Sequence, residues 1–171
     1  MFTPREDSII LETDHWRIHH NTDARLEGYL MIGTLEENAF EFADVSSEGL
    51  SEFGHIVSLA TRAVRSVFAP KHVFVGRYGV MPGNLLHLHL VPVYDWLDRR
   101  IEADKRYEFL DQINEGTCGL RYDAADYLLY TWRELVERAS MSGLPEINLP
   151  GIVSTLKEQI QREQAAPSNR K

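Results

Sequence analysis

The sequence predicts an α+β domain: an antiparallel sheet of about five strands with one long packed helix, followed by a helical C-terminal extension. Three observations lead there. Apolar residues recur at the strand period in the first third of the chain and again between His72 and Tyr94. A single stripe at three- and four-residue steps separates those two regions. After Asp95 the strand alternation stops, and stripes of helical spacing take over.

Each element has its own reason. Ser8 to Glu12 is apolar and β-branched, and Trp16 to His19 alternates apolar with polar, so both read as strands. Asn21 to Arg25 is a polar loop, and Gly28 to Thr34 is an apolar run opened by a glycine, suited to the middle of a sheet. Glu36 to Asp44 reads as a loop whose carboxylates, Glu36, Glu37 and Glu41, are solvated. Ser46 and Ser47 offer a helix cap and Glu48 a first-turn carboxylate, which the helix dipole favours. Phe53, Ile56, Val57, Ala60, Ala63, Val64, Val67 and Phe68 then form one apolar stripe, ended by Pro70. His72 to Tyr78 and Leu85 to Tyr94 are two further strands joined by a Gly- and Pro-bearing link.

Beyond them, Asp98 to Lys105 is charged, and Tyr107 to Ile113 reads as a short helix. A helix from Asp123 to Ala139 is expected to set Ala125, Leu128, Leu129, Trp132, Leu135 and Val136 on its apolar face. A last helix follows Pro150, carrying Ile152, Val153, Leu156 and Ile160. The expected organisation is a core over residues 1–95, a helical extension packed on it over 96–161, and a disordered tail over 162–171.

Composition narrows the function. The chain has 171 residues, 18 basic against 26 acidic, a formal charge of −8. A nucleic-acid backbone or an anionic membrane surface needs a basic face, so neither is the expected main partner. One cysteine, Cys118, allows neither an intrachain disulfide nor a thiolate cluster. The acidic, polar start lacks the apolar stretch of a signal peptide, and no run is long enough to cross a bilayer, so a cytoplasmic location is expected.

The segment richest in chemistry is Leu86-His87-Leu88-His89-Leu90-Val91-Pro92. Strand side chains alternate, so Leu86, Leu88 and Leu90 share the face toward a core. His87 and His89 share the other, about 7 Å apart. Three readings fit: two half-exposed polar positions; a metal pair completed by His72, Asp95 or the His19-His20 pair; or a nucleophilic imidazole oriented by its neighbour. His19 and His20 point to opposite faces, so one of them can line the same groove. Arg77 at a strand end suits either a phosphate or a surface ion pair, and Trp96, Tyr127, Tyr130 and Trp132 either a base or the core.

The stretch Leu85-Leu86-His87-Leu88-His89-Leu90-Val91-Pro92 resembles the signature of the histidine-triad (HIT) superfamily, His-φ-His-φ-His-φ-φ often followed by Pro, with φ apolar. Ile18-His19-His20-Asn21 through Gly28 to Ile32, and then the long helix, also resemble the units that precede this motif in the family. The likeness covers residues 8 to 95. It implies a HIT-like fold and a nucleotide hydrolase or transferase. His87 would be the nucleophile on an α-phosphorus, His89 the residue that orients and polarises, and Asn21 the ribose contact. It implies no metal or other cofactor, a purine nucleotide or dinucleotide as partner, and a homodimer joined through the sheets and the long helix. The chain departs from the pattern at the first triad position, which is Leu85, and at Val93, where the family often has Arg. The loop before the motif lacks the family's Gln and Ser or Thr; Gly83 and Asn84 stand there with backbone N–H groups suited to a phosphate.

Overall fold

The computed structural model describes residues 4–78, 84–110 and 121–165. Strands β1 (Ile9–Glu12), β2 (Trp16–His20), β3 (Leu30–Thr34), β4 (His72–Gly76) and β5 (His87–Val93) form one antiparallel sheet in the order β1-β2-β3-β5-β4. Helix α1 (Ser47–Phe68) lies between β3 and β4 in sequence. Its start is capped as the residue types require: the Ser46 hydroxyl accepts from the Gly49 N–H at 3.0 Å. It ends at Ala69, in the left-handed region at φ 46°, just before Pro70.

Glu36 corrects the expectation of a solvated carboxylate. It accepts from the Ser46 N–H at 2.8 Å and from the Ser46 hydroxyl at 2.6 Å, and it meets His15 Nδ1 at 2.9 Å. The carboxylate thereby locks the loop onto the start of α1. Hydrogen bonds from Ser46, and then His15, hold it below the usual carboxylate range.

Both faces of the sheet are covered. Trp16, Ile18, Leu30, Ile32, Leu88 and Leu90 face α1, which contributes Ile56, Leu59, Ala60, Ala63 and Val64. A further helix, Leu149–Ala165, closes the same core with Ile152, Val153, Leu156 and Ile160. It takes in the first four residues, 162–165, of the expected tail. The stripe on α1 is therefore taken up within the chain, by the sheet and by this last helix.

On the opposite face, Met31, Val91 and Val93 pack beneath α2 (Asp95–Ala103) and α3 (Ala124–Tyr130), which contribute Leu97, Ile101, Tyr127 and Tyr130. The last helix, Leu149–Ala165, is α4 in this order. The span Asp98 to Lys105 thus belongs largely to a helix that its charge concealed, since only Leu97 and Ile101 face inward. The short helix expected over 107–113 falls partly outside the described residues, as do Gly83 and Cys118.

The helix expected over Asp123 to Ala139 is α-helical only to Tyr130; Thr131–Glu137 is a π-helix. Wider π turns change which side chains face the core. Tyr127, Tyr130 and Leu135 are buried, while Leu129 and Trp132, expected inside, are exposed. Tyr127 and Tyr130 are core residues rather than stacking surfaces.

Candidate active site

The site forms on the face of the sheet that α2 and α3 cover, where β2, β3, β5 and β4 present their alternate residues. The register aligns them in rows. Arg17, Gly33 and His87 form one row, and His19, Met31, His89 and Gly76 form the next. Leu86, Leu88 and Leu90 point into the core beneath. The apolar side of β5 thus anchors its histidine side, as the alternation predicts.

His87 is half-buried. Its Nδ1 lies 2.9 Å from the Leu85 carbonyl oxygen. A carbonyl can only accept, so Nδ1 carries the proton and Nε2 keeps its lone pair. This contact uses the backbone of residue 85, so it does not depend on the leucine side chain there. Asn84, half-buried, immediately precedes Leu85.

His89 is 4% exposed, with its ring centroid 5.3 Å from that of His87. The Tyr29 hydroxyl lies 2.7 Å from His89 Nδ1 and donates to it. A backbone hydrogen bond to Tyr78 engages His89 as well. Burial, and then the neighbouring His87, lowers its pKa to about 4, so at neutral pH it is an uncharged, oriented ring. Burial likewise pushes the Tyr29 hydroxyl up, which keeps it a donor.

Tyr29, Tyr78 and Trp132 surround His89. Their ring centroids stand 5.9, 5.7 and 6.4 Å from it. Gly76 admits Tyr78: any side chain there would overlap the Tyr78 ring. Trp132 comes from the π-helix, stands edge-on to His89, and is 41% exposed. The backbone bond from Arg25 N–H to the Leu135 carbonyl, 3.0 Å, ties that helix to the loop after β2.

Asn21 is buried beside this group. Its Oδ1 accepts from the Asp23 N–H at 3.0 Å, its Nδ2 lies 4.0 Å from Met31 Sδ, and its side chain also hydrogen-bonds Tyr29. A chain of contacts therefore runs from Asn21 through Tyr29 to His89.

Of the adjacent pair on β2, His19 joins the site face. Burial lowers its pKa to about 4, with Arg17 and His87 adding to the effect. His20 is turned the other way and is fully buried. Its Nδ1 donates to the Asn21 carbonyl at 2.8 Å and its Nε2 accepts from the Gly28 N–H at 3.2 Å, so it is a strut of the loop, not a site residue. Arg77 donates to the Phe40 carbonyl at 2.9 Å and stands 4.0 Å from Glu41, the surface arrangement of the two readings.

Sequence reasoning placed one of His19 and His20 in the groove, which is His19, but missed Tyr29 and Arg17 as neighbours of the motif. Tyr29 adjoins Gly28 in the quoted unit, but its partner is 60 positions away and becomes visible only through the strand register. Among the described residues, no group of three His, Cys, Asp or Glu side chains is placed to hold a metal ion. No helix among them is long and apolar enough to cross a membrane.

No family profile matches the sequence, and no curated protein matches it. The likeness to known proteins lies in the backbone. The chain is similar to a zinc-bound histidine triad family protein from Mycobacterium smegmatis, with TM-score 0.53 and 11% identity over 92% of this chain and 86% of that one. It is similar to a hypothetical histidine triad nucleotide-binding protein from Sulfolobus tokodaii, with TM-score 0.52 and 12% identity over 96% and 90%. A HIT-like protein involved in cell-cycle regulation from Bartonella henselae gives TM-score 0.50 and 11% identity over 88% and 84%.

Proposed function

Starting from a HIT-like α+β fold, we propose that this protein is a nucleotide hydrolase or transferase acting at an α-phosphorus, with His87 as nucleophile. The observation that carries this reading is the 2.9 Å contact between His87 Nδ1 and the Leu85 carbonyl, which leaves Nε2 bare on a half-buried ring. The histidine triad nucleotide-binding protein of similar fold supports a nucleotide as the ligand.

In the first step the Nε2 lone pair forms a P–N bond as the bond from phosphorus to the leaving group breaks, and the leaving group departs with the electron pair. His87 is then a nucleotidyl-imidazolium whose Nδ1–H charge rests on the Leu85 carbonyl. In the second step water or another acceptor attacks phosphorus and releases its proton to solvent, the P–N bond breaks with its electron pair returning to Nε2, and neutral His87 returns. His89, uncharged and held through both sides of its ring, positions the site instead of donating a proton. Asn21, on the same face and hydrogen-bonded to Tyr29, borders the ribose, and Asn84 lies on the phosphate side, a role proposed from sequence for Gly83 as well. The chemistry requires no cofactor, and the working form is a cytoplasmic homodimer.

Replacing His87 with Ala is expected to abolish whatever turnover the wild type shows in a screen of dinucleoside polyphosphates and nucleoside phosphoramidates, while nucleotide affinity stays within a few-fold. Unchanged turnover refutes the assignment. Leu85 at the first triad position favours a second reading, a nucleotide-binding module without turnover. Denaturing mass spectrometry after rapid quench separates the two: a nucleotidyl adduct on His87 supports the enzyme, and tight binding without an adduct supports the module.

A further inference from the structure

Gly33 occupies a position where the fold gives no reason for glycine. Its φ is not among the positive values of the chain's glycines, so the backbone accepts any residue. A Cβ built on it would meet only the His87 Cβ, at 3.8 Å, an ordinary contact. Glycine within a strand weakens it and often marks a close approach by another group. The side-chain-free position leaves an open floor, with His87 on one side and Arg17 on the other, their backbones about 10 Å apart across two strand spacings.

Arg17 is a half-buried cation on the site face of a chain with net charge −8. Its Nε donates to Glu12, whose side chain is exposed at the outer edge of the sheet. That contact takes one of the five N–H donors of the guanidinium and leaves the two terminal amino groups to receive an anion. Exposed ion pairs of this kind are weak, so Glu12 steadies the guanidinium without withdrawing it from a competing phosphate.

Resting on the reading of His87 as nucleophile, we infer that Arg17 and the Gly33 floor bind the phosphate next to the α-phosphorus, so the substrate is a nucleoside polyphosphate or dinucleoside polyphosphate and not a phosphoramidate. The leaving group supports the same choice. When Nε2 of His87 forms its bond to the α-phosphorus, the bridging P–O bond breaks and its electron pair stays on the departing phosphate. That oxygen is a stable anion facing a guanidinium and needs no proton. An amine departing from a phosphoramidate needs one, and His89, the ring beside His87, is held neutral with both sides engaged.

The test is calorimetric titration of the full chain with AMP and ADP, and with GMP and GDP, repeated on Arg17→Ala, Arg17→Lys and Gly33→Val, with circular dichroism verifying the fold of each. The wild type is expected to bind the diphosphate of its preferred base roughly 10- to 100-fold more tightly than the monophosphate, the range of a charge-assisted contact. Arg17→Ala should bring the two within about threefold while monophosphate affinity holds, and Arg17→Lys should keep part of the preference. Gly33→Val, which fills the floor, should weaken both nucleotides. Equal wild-type affinities, or a preference that survives in Arg17→Ala, overturn this inference and leave His87 untouched. A wild type that binds none of the four nucleotides overturns the nucleotide reading itself.

Discussion

Acidifying the protein from pH 7 to pH 5 should add protons to the unfolded chain at three places where the folded chain resists them. His19, His20 and His89 each have a pKa lowered by burial from 6.5 to about 4. Between those two values the unfolded state binds more protons, so stability rises with pH there and is lost as pH falls. At pH 5 an unfolded histidine is almost fully charged and a folded one scarcely at all, which amounts to about 2 kcal/mol per residue relative to pH 7. Summed over the three sites this is about 6 kcal/mol, comparable with the whole stability of many domains. His20 shows why the folded state resists: its Nε2 accepts from the Gly28 N–H, and a proton there displaces the acceptor of a buried donor. Urea denaturation at constant ionic strength, followed by tryptophan emission at pH 7, 6 and 5, reads the loss. The midpoint should fall by roughly 2 M or more. The carboxylates held low by hydrogen bonds, Glu36, Asp104 and Glu137, lose their contribution only below their ordinary range, so they act at a more acidic pH. A change under about 1 kcal/mol between pH 7 and pH 5 refutes the assignment of three buried neutral imidazoles.

Other perturbations have equally direct outcomes. Tyr29→Phe removes the donor on His89 Nδ1 and leaves a buried acceptor unpaired, which should cost about 1–3 kcal/mol in denaturant titration and lower turnover with it. Gly28→Ala puts a Cβ at φ +75° and 2.8 Å from the Phe68 ring, so thermal unfolding should show a loss of about 1–3 kcal/mol. Leu156→Ala, fully buried between α4 and the core, should cost about 2–5 kcal/mol by the same measurement. Occupation of the site should change the emission of Trp132, and Trp132→Phe should remove that change while leaving the signal of buried Trp16.

What the sequence disclosed followed from local periodicity. The two faces of β5 and the long stripe of α1 repeat within a few residues, so a reader of the chain sees them directly. The order of the sheet places β5 between β3 and β4, and that is a fact of the assembled chain. Only this placement brings Tyr29 to His89 and Arg17 into the row of His87. Helix α2 was hidden because Asp95, Asp98, Arg99, Arg100 and Glu102 outnumber the two side chains that bury. The faces of residues 124–137 were misassigned because an expectation of 3.6 residues per turn fails once the backbone widens at Thr131. Glu36 looked like one more solvated acid because its capping partners, Ser46 and His15, lie on either side of it at ten and twenty-one positions.

The sheet is complete once Val93 has been made, yet neither of its apolar sides has its full coat at that point. One coat finishes with Leu135 and the other with Ile160. A ribosome must therefore extrude nearly the entire polypeptide before the ribbon bearing the histidines is sheltered on both sides. Until then it offers bare strands to chaperones or to neighbouring nascent chains, and a fragment cut after the last strand inherits that exposure permanently.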